Sequence, residues 1–339
     1  PSQSLPLTPR LLAAYFDRPL FPENFTAPES ADDWSGRSLK DWVTFYEGGQ
    51  RLVNYLKHVG YNGAIISVAC QGGSIYPSET LNPIPKYDTG TFFASGQDPV
   101  RKDILEMLFR LFDREGLKLV PAVHFSSTLE ELEHSLRNTT ANPEGIALVD
   151  RQGNRYQSSS GQQGMGPHYN PLDGRVQTAM RRVLNEISDR YAHHRSFAGL
   201  SLQLGPDTYA LLPGEQWGQD RVTVKRFEVE TNFASDKSSQ SPVAGIQTRD
   251  RRRTWLQWRA NVLAEFYRDI LSDVQQRSPG AKLYLAGGDM FVNANLRDML
   301  QPSIPNRLRI DEALLQTGIV AEHFRGQNQI VFFRPERMA

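Results

Sequence analysis

The chain has 339 residues, 39% of them hydrophobic and 22% charged, with 38 basic side chains balanced by 38 acidic ones. A chain of this length buries roughly three quarters of its unfolded surface in one large domain or two smaller ones. The even charge balance argues against a nucleic-acid binder, no apolar run approaches the ~18 residues of a membrane span, and the lone Cys70 excludes an intramolecular disulfide framework and a cysteine-based zinc site.

In chain order, short apolar, β-branched or aromatic runs predict strands at 11–16, 64–68, 117–123, 198–204, 283–286 and 330–333. Between them, helical periodicity predicts helices. One covers 45–58. In 98–115 the stripe is Val100, Ile104, Leu105, Leu108, Phe109 and Phe112. In 174–192 it is Val176, Met180, Val183, Leu184, Ile187 and Tyr191, and in 251–277 it is Trp255, Trp258, Val262, Phe266, Ile270 and Val274. Gly60, Gly116 and Gly280 stand where left-handed caps would close helices. Repeated β-α order favours a parallel sheet covered by helices.

Connection lengths sharpen this. Passages from helix to strand are short, whereas those from strand to helix, 17–40, 69–97, 124–174 and 205–250, are long and rich in Gly, Pro, Ser, Asn and Gln. Structureless loops beyond ~15 residues are usually functional or disordered. Here they gather at the carboxyl ends of the strands, where α/β folds place their sites. The composition of 235–248 reads as a flexible loop. No phosphate-cradling turn follows the first strand, since Phe16 leads into Asp17-Arg18-Pro19, and no Walker A sequence occurs. Gly161-Gln-Gln-Gly164-Met-Gly166 follows no strand and opens no helix. A (β/α)8 TIM barrel in a single domain fits best. Only about six β-α units are countable, so either strands escape the pattern or the barrel is incomplete. The ending Arg334-Pro-Glu-Arg-Met-Ala339, directly after a strand-like run, fits an excerpt of a longer polypeptide.

Covalent nucleophile motifs are missing: Gly199-Leu-Ser201-Leu-Gln203 lacks the second glycine of a nucleophile elbow. Metal spacing is missing too, and His193-His194 reads as the cationic end of a helix. No cofactor motif occurs. What remains is a set of acidic, polar and aromatic side chains at strand ends. Asp17 follows the first strand, His124 closes the third, and His168, Tyr169 and Asn170 sit late in the next loop. Asp207 lies three residues after Leu204 at the end of the fourth strand, Glu215, Trp217 and Asp220 follow in the same loop, and Asp289 follows the fifth strand. Carboxylates delivered from different strands to one rim suit glycosidic-bond chemistry, in which one group holds a proton and another is ionised. Their separation sets the outcome, roughly 5–5.5 Å for retention and roughly 6.5–9.5 Å for inversion. Trp217, Tyr76 and Tyr209 could offer faces to sugar rings. Trp255 and Trp258 read as sheet-packing residues, and Trp34 and Trp42 either cover the barrel or line the site. The bland alternative for every acid here is a helix cap or a loop hydrogen bond.

Four stretches carry a resemblance: Tyr169-Asn-Pro-Leu-Asp-Gly-Arg-Val-Gln177, Phe197-Ala-Gly-Leu-Ser-Leu-Gln203, Thr254-Trp-Leu-Gln-Trp-Arg259, and the strand at 282–286. Together they resemble the bacterial family-10-like hypothetical glycosyl hydrolases over most of 10–335. The resemblance implies a TIM barrel and a carbohydrate ligand, and it slightly favours an extracytoplasmic location. In that family the fourth strand commonly ends in an acidic Phe-Asp-Asp-type pair. This chain has Gln203-Leu-Gly-Pro-Asp207 there, and a glutamine cannot ionise.

The leading expectation is a glycoside hydrolase-like barrel acting on a poly- or oligosaccharide. Asp207 is the first-choice acid/base or nucleophile, and Asp289 and Glu215 are its candidate partners. Asp17, His124, His168, Tyr169, Asn170, Gln203 and Trp217 are the candidate substrate contacts. The alternative is a non-catalytic carbohydrate-binding or scaffolding barrel that has lost an acid. An open-sheet hydrolase or transferase is a third reading, opposed by the missing elbow and phosphate turns.

Overall fold

The structure, a computed structural model, describes residues 10–19, 24–25, 31–32, 37–38, 42–70, 72–84, 102–138, 143–156, 169–205, 207–233, 249–291, 300 and 309–335. The glycines at 161–166, the 235–248 loop, His168, Trp34 and Val100 lie outside these residues.

Six parallel strands form the frame: β1 (Ala13–Phe16), β2 (Gly63–Cys70), β3 (Lys118–Val123), β4 (Gly199–Gln203), β5 (Lys282–Ala286) and β6 (Ile330–Phe333). Each pairs with the next in sequence, with registers such as Ala13↔Gly63, Ile65↔Val120, Ala122↔Ser201, Leu200↔Leu283 and Ile330↔Leu283. Two-residue strands at Gly73–Ser74 and Asn82–Pro83 extend the sheet beyond β2. The helices between strands are α1 (Trp42–His58), α2 (Ile104–Glu115), α3 (Glu130–Arg137), α4 (Gly174–Tyr191), α5 (Arg221–Thr231), α6 (Arg249–Arg277) and α7 (Ile310–Gln316). Sequential parallel neighbours joined by helices make the wall of a partial α/β barrel.

Residue alternation along the strands explains both faces. Ala64, Ile66, Val68, Leu119, Leu200, Leu202, Leu283 and Leu285 face the helices in the main core, whose largest members include Trp255, Phe109, Phe112 and Phe227. Ile65, Val120, Ala122 and Tyr284 face inward with Leu11, Ala13, Tyr15, Ala198, Val331 and Phe333. Strands apolar on both faces, such as the wholly buried β2, belong in a parallel sheet covered by helices. Among the described residues no backbone pairing joins β6 to β1. The rings of Tyr15 and Phe333 meet there edge-on instead, with centroids 5.7 Å apart.

Asp103, Asp173 and Asp220 cap α2, α4 and α5, accepting from the amides of Glu106, Arg175 and Thr223 at 2.9, 2.8 and 2.8 Å. Gly60 and Gly116 adopt φ of 81° and 68°, the left-handed caps expected of them. Gly280 does not: α6 ends at Arg277, and Ser278 is held by a bond to the Val274 carbonyl, so no left-handed residue is needed. The region 124–174 also contains α3, and 205–250 contains α5, which the reading of both as loops did not anticipate. Trp255 and Trp258 stack on one another at 5.2 Å inside the helix layer. Trp42 lies in an outer groove between α1 and α2. No helix among the described residues is long and apolar enough to cross a membrane.

Candidate active site

A cavity of about 2490 Å³ runs along the inner face of the sheet. Its lining carboxylates are Asp17, Asp207 and Asp289, which follow the carboxyl ends of β1, β4 and β5, while Lys118 and Lys282 start β3 and β5 at the opposite mouth. The parallel fold causes this convergence, since every strand ends on the same side. The turns after β4 and β5 approach each other closely: a Cβ built on Gly205 would stand 3.6 Å from the Cβ of Asp289. Asp207 is half-buried, whereas Asp17 and Asp289 are exposed.

His124 closes β3 among these acids. Its amide donates to the Ala69 carbonyl at 2.8 Å. Burial disfavours its charged form more than the carboxylates of Asp207, Asp17 and Asp289 favour it, and the guanidinium of Arg18 also opposes protonation. The histidine therefore titrates below its ordinary value and is neutral at pH 7. Cys70 at the end of β2 feels Arg18 and Asp17 too, but burial pushes its thiol up to about 11 and leaves it unreactive. The strand register shifts between Ser67 and Ala69, a bulge that bends β2 just before the site.

Gln203, at the end of β4, is 7% exposed. Its Nε2 donates to the Tyr15 hydroxyl at 2.7 Å and to the Asp17 carbonyl at 3.1 Å, tying β4 across the barrel to β1. Its buried Oε1 has no hydrogen-bond partner among the described residues. Tyr156 also lies within electrostatic range of Asp207; burial, and then that carboxylate, raise its hydroxyl to about 12.

The structure thus brings Asp17, His124, Gln203, Asp207 and Asp289 together. It turns others away. Glu215 pairs with Arg252, and its carbonyl accepts from the buried Arg259. Trp217 stands edge-on to Tyr156 with ring centroids 4.8 Å apart. Tyr169 is buried and donates to Glu133 at 2.7 Å; Asn170 is buried and donates to Asp220 and Thr223 at 3.1 and 2.9 Å. These two fasten the loops beneath the rim. Tyr76 and Tyr209 are also fully buried and offer no face to a sugar ring. Arg18 and Tyr15 also line the cavity, although neither is among the candidates the sequence offers. Tyr15 was accessible to sequence reading, because it shares the inward face of β1 with Ala13.

Comparison with known proteins follows this architecture. A family model described as glycosyl hydrolase-like 10 matches residues 37–309. No curated protein matches the chain. Among solved structures, the chain is similar to the PgaB (BpsB) glycoside hydrolase domain from Bordetella bronchiseptica, at 12% identity and a TM-score of 0.54, covering 95% of this chain and 74% of that one. It is also similar to the catalytic domain of a β-amylase from Paenibacillus polymyxa, at 13% identity and a TM-score of 0.52, covering 87% and 73%. At such identities the likeness speaks for the barrel fold. The family match spans well over half of the chain, and this protein belongs to the glycosyl hydrolase-like 10 family.

Proposed function

We propose that this protein hydrolyses glycosidic bonds of a poly- or oligosaccharide laid across the carboxyl-end mouth of the barrel, with Asp207 and Asp289 as the acid/base pair. The observation that carries this reading is the meeting of the β4 and β5 turns, which sets both aspartates on the rim of one cavity around a neutral His124. One carboxyl group protonates the leaving oxygen, and the other activates water or attacks the anomeric carbon. Asp17 and Gln203 supply hydrogen bonds to ring hydroxyls, and neutral His124 can donate or accept one without adding charge.

The test is release of reducing ends from a panel of glycans. Asp207→Asn and Asp289→Asn should each lower the rate by roughly 10²–10⁴, the usual share of general acid–base catalysis. Glu215→Gln and Trp217→Ala, which alter side chains turned away from the cavity, should leave the chemical step within a few-fold of the parent. Full activity in Asp207→Asn overturns the assignment. A second reading, binding without turnover, is favoured by Gln203 standing where the resemblance places an acid. Glycan binding with no product release by the parent protein would establish it.

A further inference from the structure

The second cluster of chemistry-bearing side chains lies at the amino-end face of the barrel, where α2 meets the turn after α4. Glu106, His193 and His194 each present a ligand atom there, and these atoms all lie within 4.8 Å of one another. His194 is fixed. Its ring stacks on Phe109 with centroids 4.9 Å apart and planes 11° apart, and its side chain is 6% exposed. Its Nδ1 stands 2.6 Å from an oxygen of Asp113, whose other oxygen accepts from the Ser196 amide at 2.7 Å. An Nδ1–H donated to Asp113 leaves Nε2 as a lone pair, and that lone pair faces a Glu106 oxygen 3.0 Å away. Two acceptors at that distance need a cation between them, either a proton or a metal ion. The other Glu106 oxygen is held by Arg110 at 2.7 Å, so the carboxylate is aimed. His193 is exposed, and its ring centroid lies 4.2 Å from that of His194.

We propose that Glu106, His193 and His194 form a binding site for a divalent transition metal of the zinc class, with Asp113 orienting His194 from behind. Two nitrogens and one carboxylate oxygen suit zinc, whose tetrahedral bonds of ~2.0–2.2 Å place ligand atoms about 3.4 Å apart. The Glu106–His194 pair is already that close, and a rotation of the His193 side chain closes the remainder. A carboxylate on the far nitrogen of a ligating histidine is the usual arrangement that fixes its tautomer and raises its basicity. The ion would join α2 to the end of α4, and a fourth position would remain open to water. Glu106 and His194 are 88 residues apart, so no local spacing announces the site.

The experiment is isothermal titration of the untagged protein with Zn²⁺ after chelator treatment, supported by the absorption spectrum of added Co²⁺. One equivalent should bind with a tetrahedral Co²⁺ spectrum. His193→Ala, which alters an exposed side chain, should weaken binding at least tenfold, as should Glu106→Gln. Asp113→Asn should weaken it roughly ten- to a hundredfold while leaving one site. Absence of saturable binding overturns the proposal, as does unchanged affinity in His193→Ala, which would place the ion elsewhere.

Discussion

Arg259 is expected to hold the loop that carries Asp207 from behind. It is 0% exposed, and its Nη1 donates to the carbonyls of Gly214, Glu215 and Trp217 at 3.1, 3.2 and 3.0 Å, its Nη2 to that of Gln316 at 2.7 Å. The guanidinium also lies 5.8 Å from the centre of the Trp255 ring. Burial lowers its pKa to about 9 against the opposing pull of Glu215, so it is charged at neutral pH. Each bond from a charged donor contributes ~1.5–3 kcal/mol, so four set an upper bound of ~6–12 kcal/mol. Desolvation of a buried ion offsets several kcal/mol of this, and removing one member of such a network destabilises by about 3–5 kcal/mol. At ~2 °C per kcal/mol for a large domain, Arg259→Ala should lower Tm by about 6–10 °C. Arg259→Lys should recover only part of the loss, because a single ammonium cannot span a fork of four carbonyls. Calorimetry reads the shift, and hydrogen exchange should quicken across 207–220. A Tm change below about 2 °C, or unchanged exchange in that loop, would refute the reasoning.

Gly199→Ala should prevent folding or destabilise by more than ~3 kcal/mol, because its φ is 133° and an added Cβ would stand 1.8 Å from the Lys282 carbonyl. Gly280→Ala, whose Cβ meets nothing within 4 Å, is the neutral control, and soluble yield and Tm compare them. His124 titrates lower in the folded chain than in the unfolded one, so the unfolded state takes up the proton first. Stability should therefore fall as pH drops below about 6.5, and His124→Gln should flatten that slope in urea melts. Burial raises the carboxyls of Glu106 and Asp113, but hydrogen bonds outweigh it and leave both lowered: those of His194 and Arg110 at Glu106, those of Ser196 and His194 at Asp113. Their contribution is present above the unfolded carboxylate values and is lost as pH falls through the folded ones. With chelator present, the stability gap between the parent and His194→Gln should narrow below about pH 4; a constant gap from pH 7 to pH 3 would contradict this.

All six parallel strands were legible as short apolar runs; the run is clearest in β2, β3, β4 and β5, which are buried along nearly their whole length, whereas β1 and β6 at the two ends of the sheet are only partly buried. The long helices were legible for a different reason, the one-sided apolar stripe that packs on the sheet. α5 was not: Arg221–Thr231 is short and mixed in polarity, and its clearest mark is the cap residue Asp220, which sequence reading treated as a strand-end acid. The convergence of Asp17, Asp207 and Asp289 followed from topology alone. Side-chain direction did not. Glu215 lies only eight positions after Asp207 but turns to Arg252, because α6 brings that arginine beneath the loop. Tyr169 and Asn170 are likewise drawn inward by partners 36 to 53 residues away, which no local pattern reveals.

The contact of Tyr15 with Phe333 makes one sector of the wall different in kind from the rest. Among the described residues the other strand neighbours are joined by main-chain ladders, which substitution scarcely alters, whereas at this juncture the contact runs through side chains, the Tyr15 and Phe333 rings among them. Because the Tyr15 hydroxyl also receives the Gln203 amide, substitution at position 333 can retune the gap and, through a single phenol, the placement of Gln203 at the end of β4. The dimensions of the interior are thus adjustable by point mutation without any rearrangement of the strands.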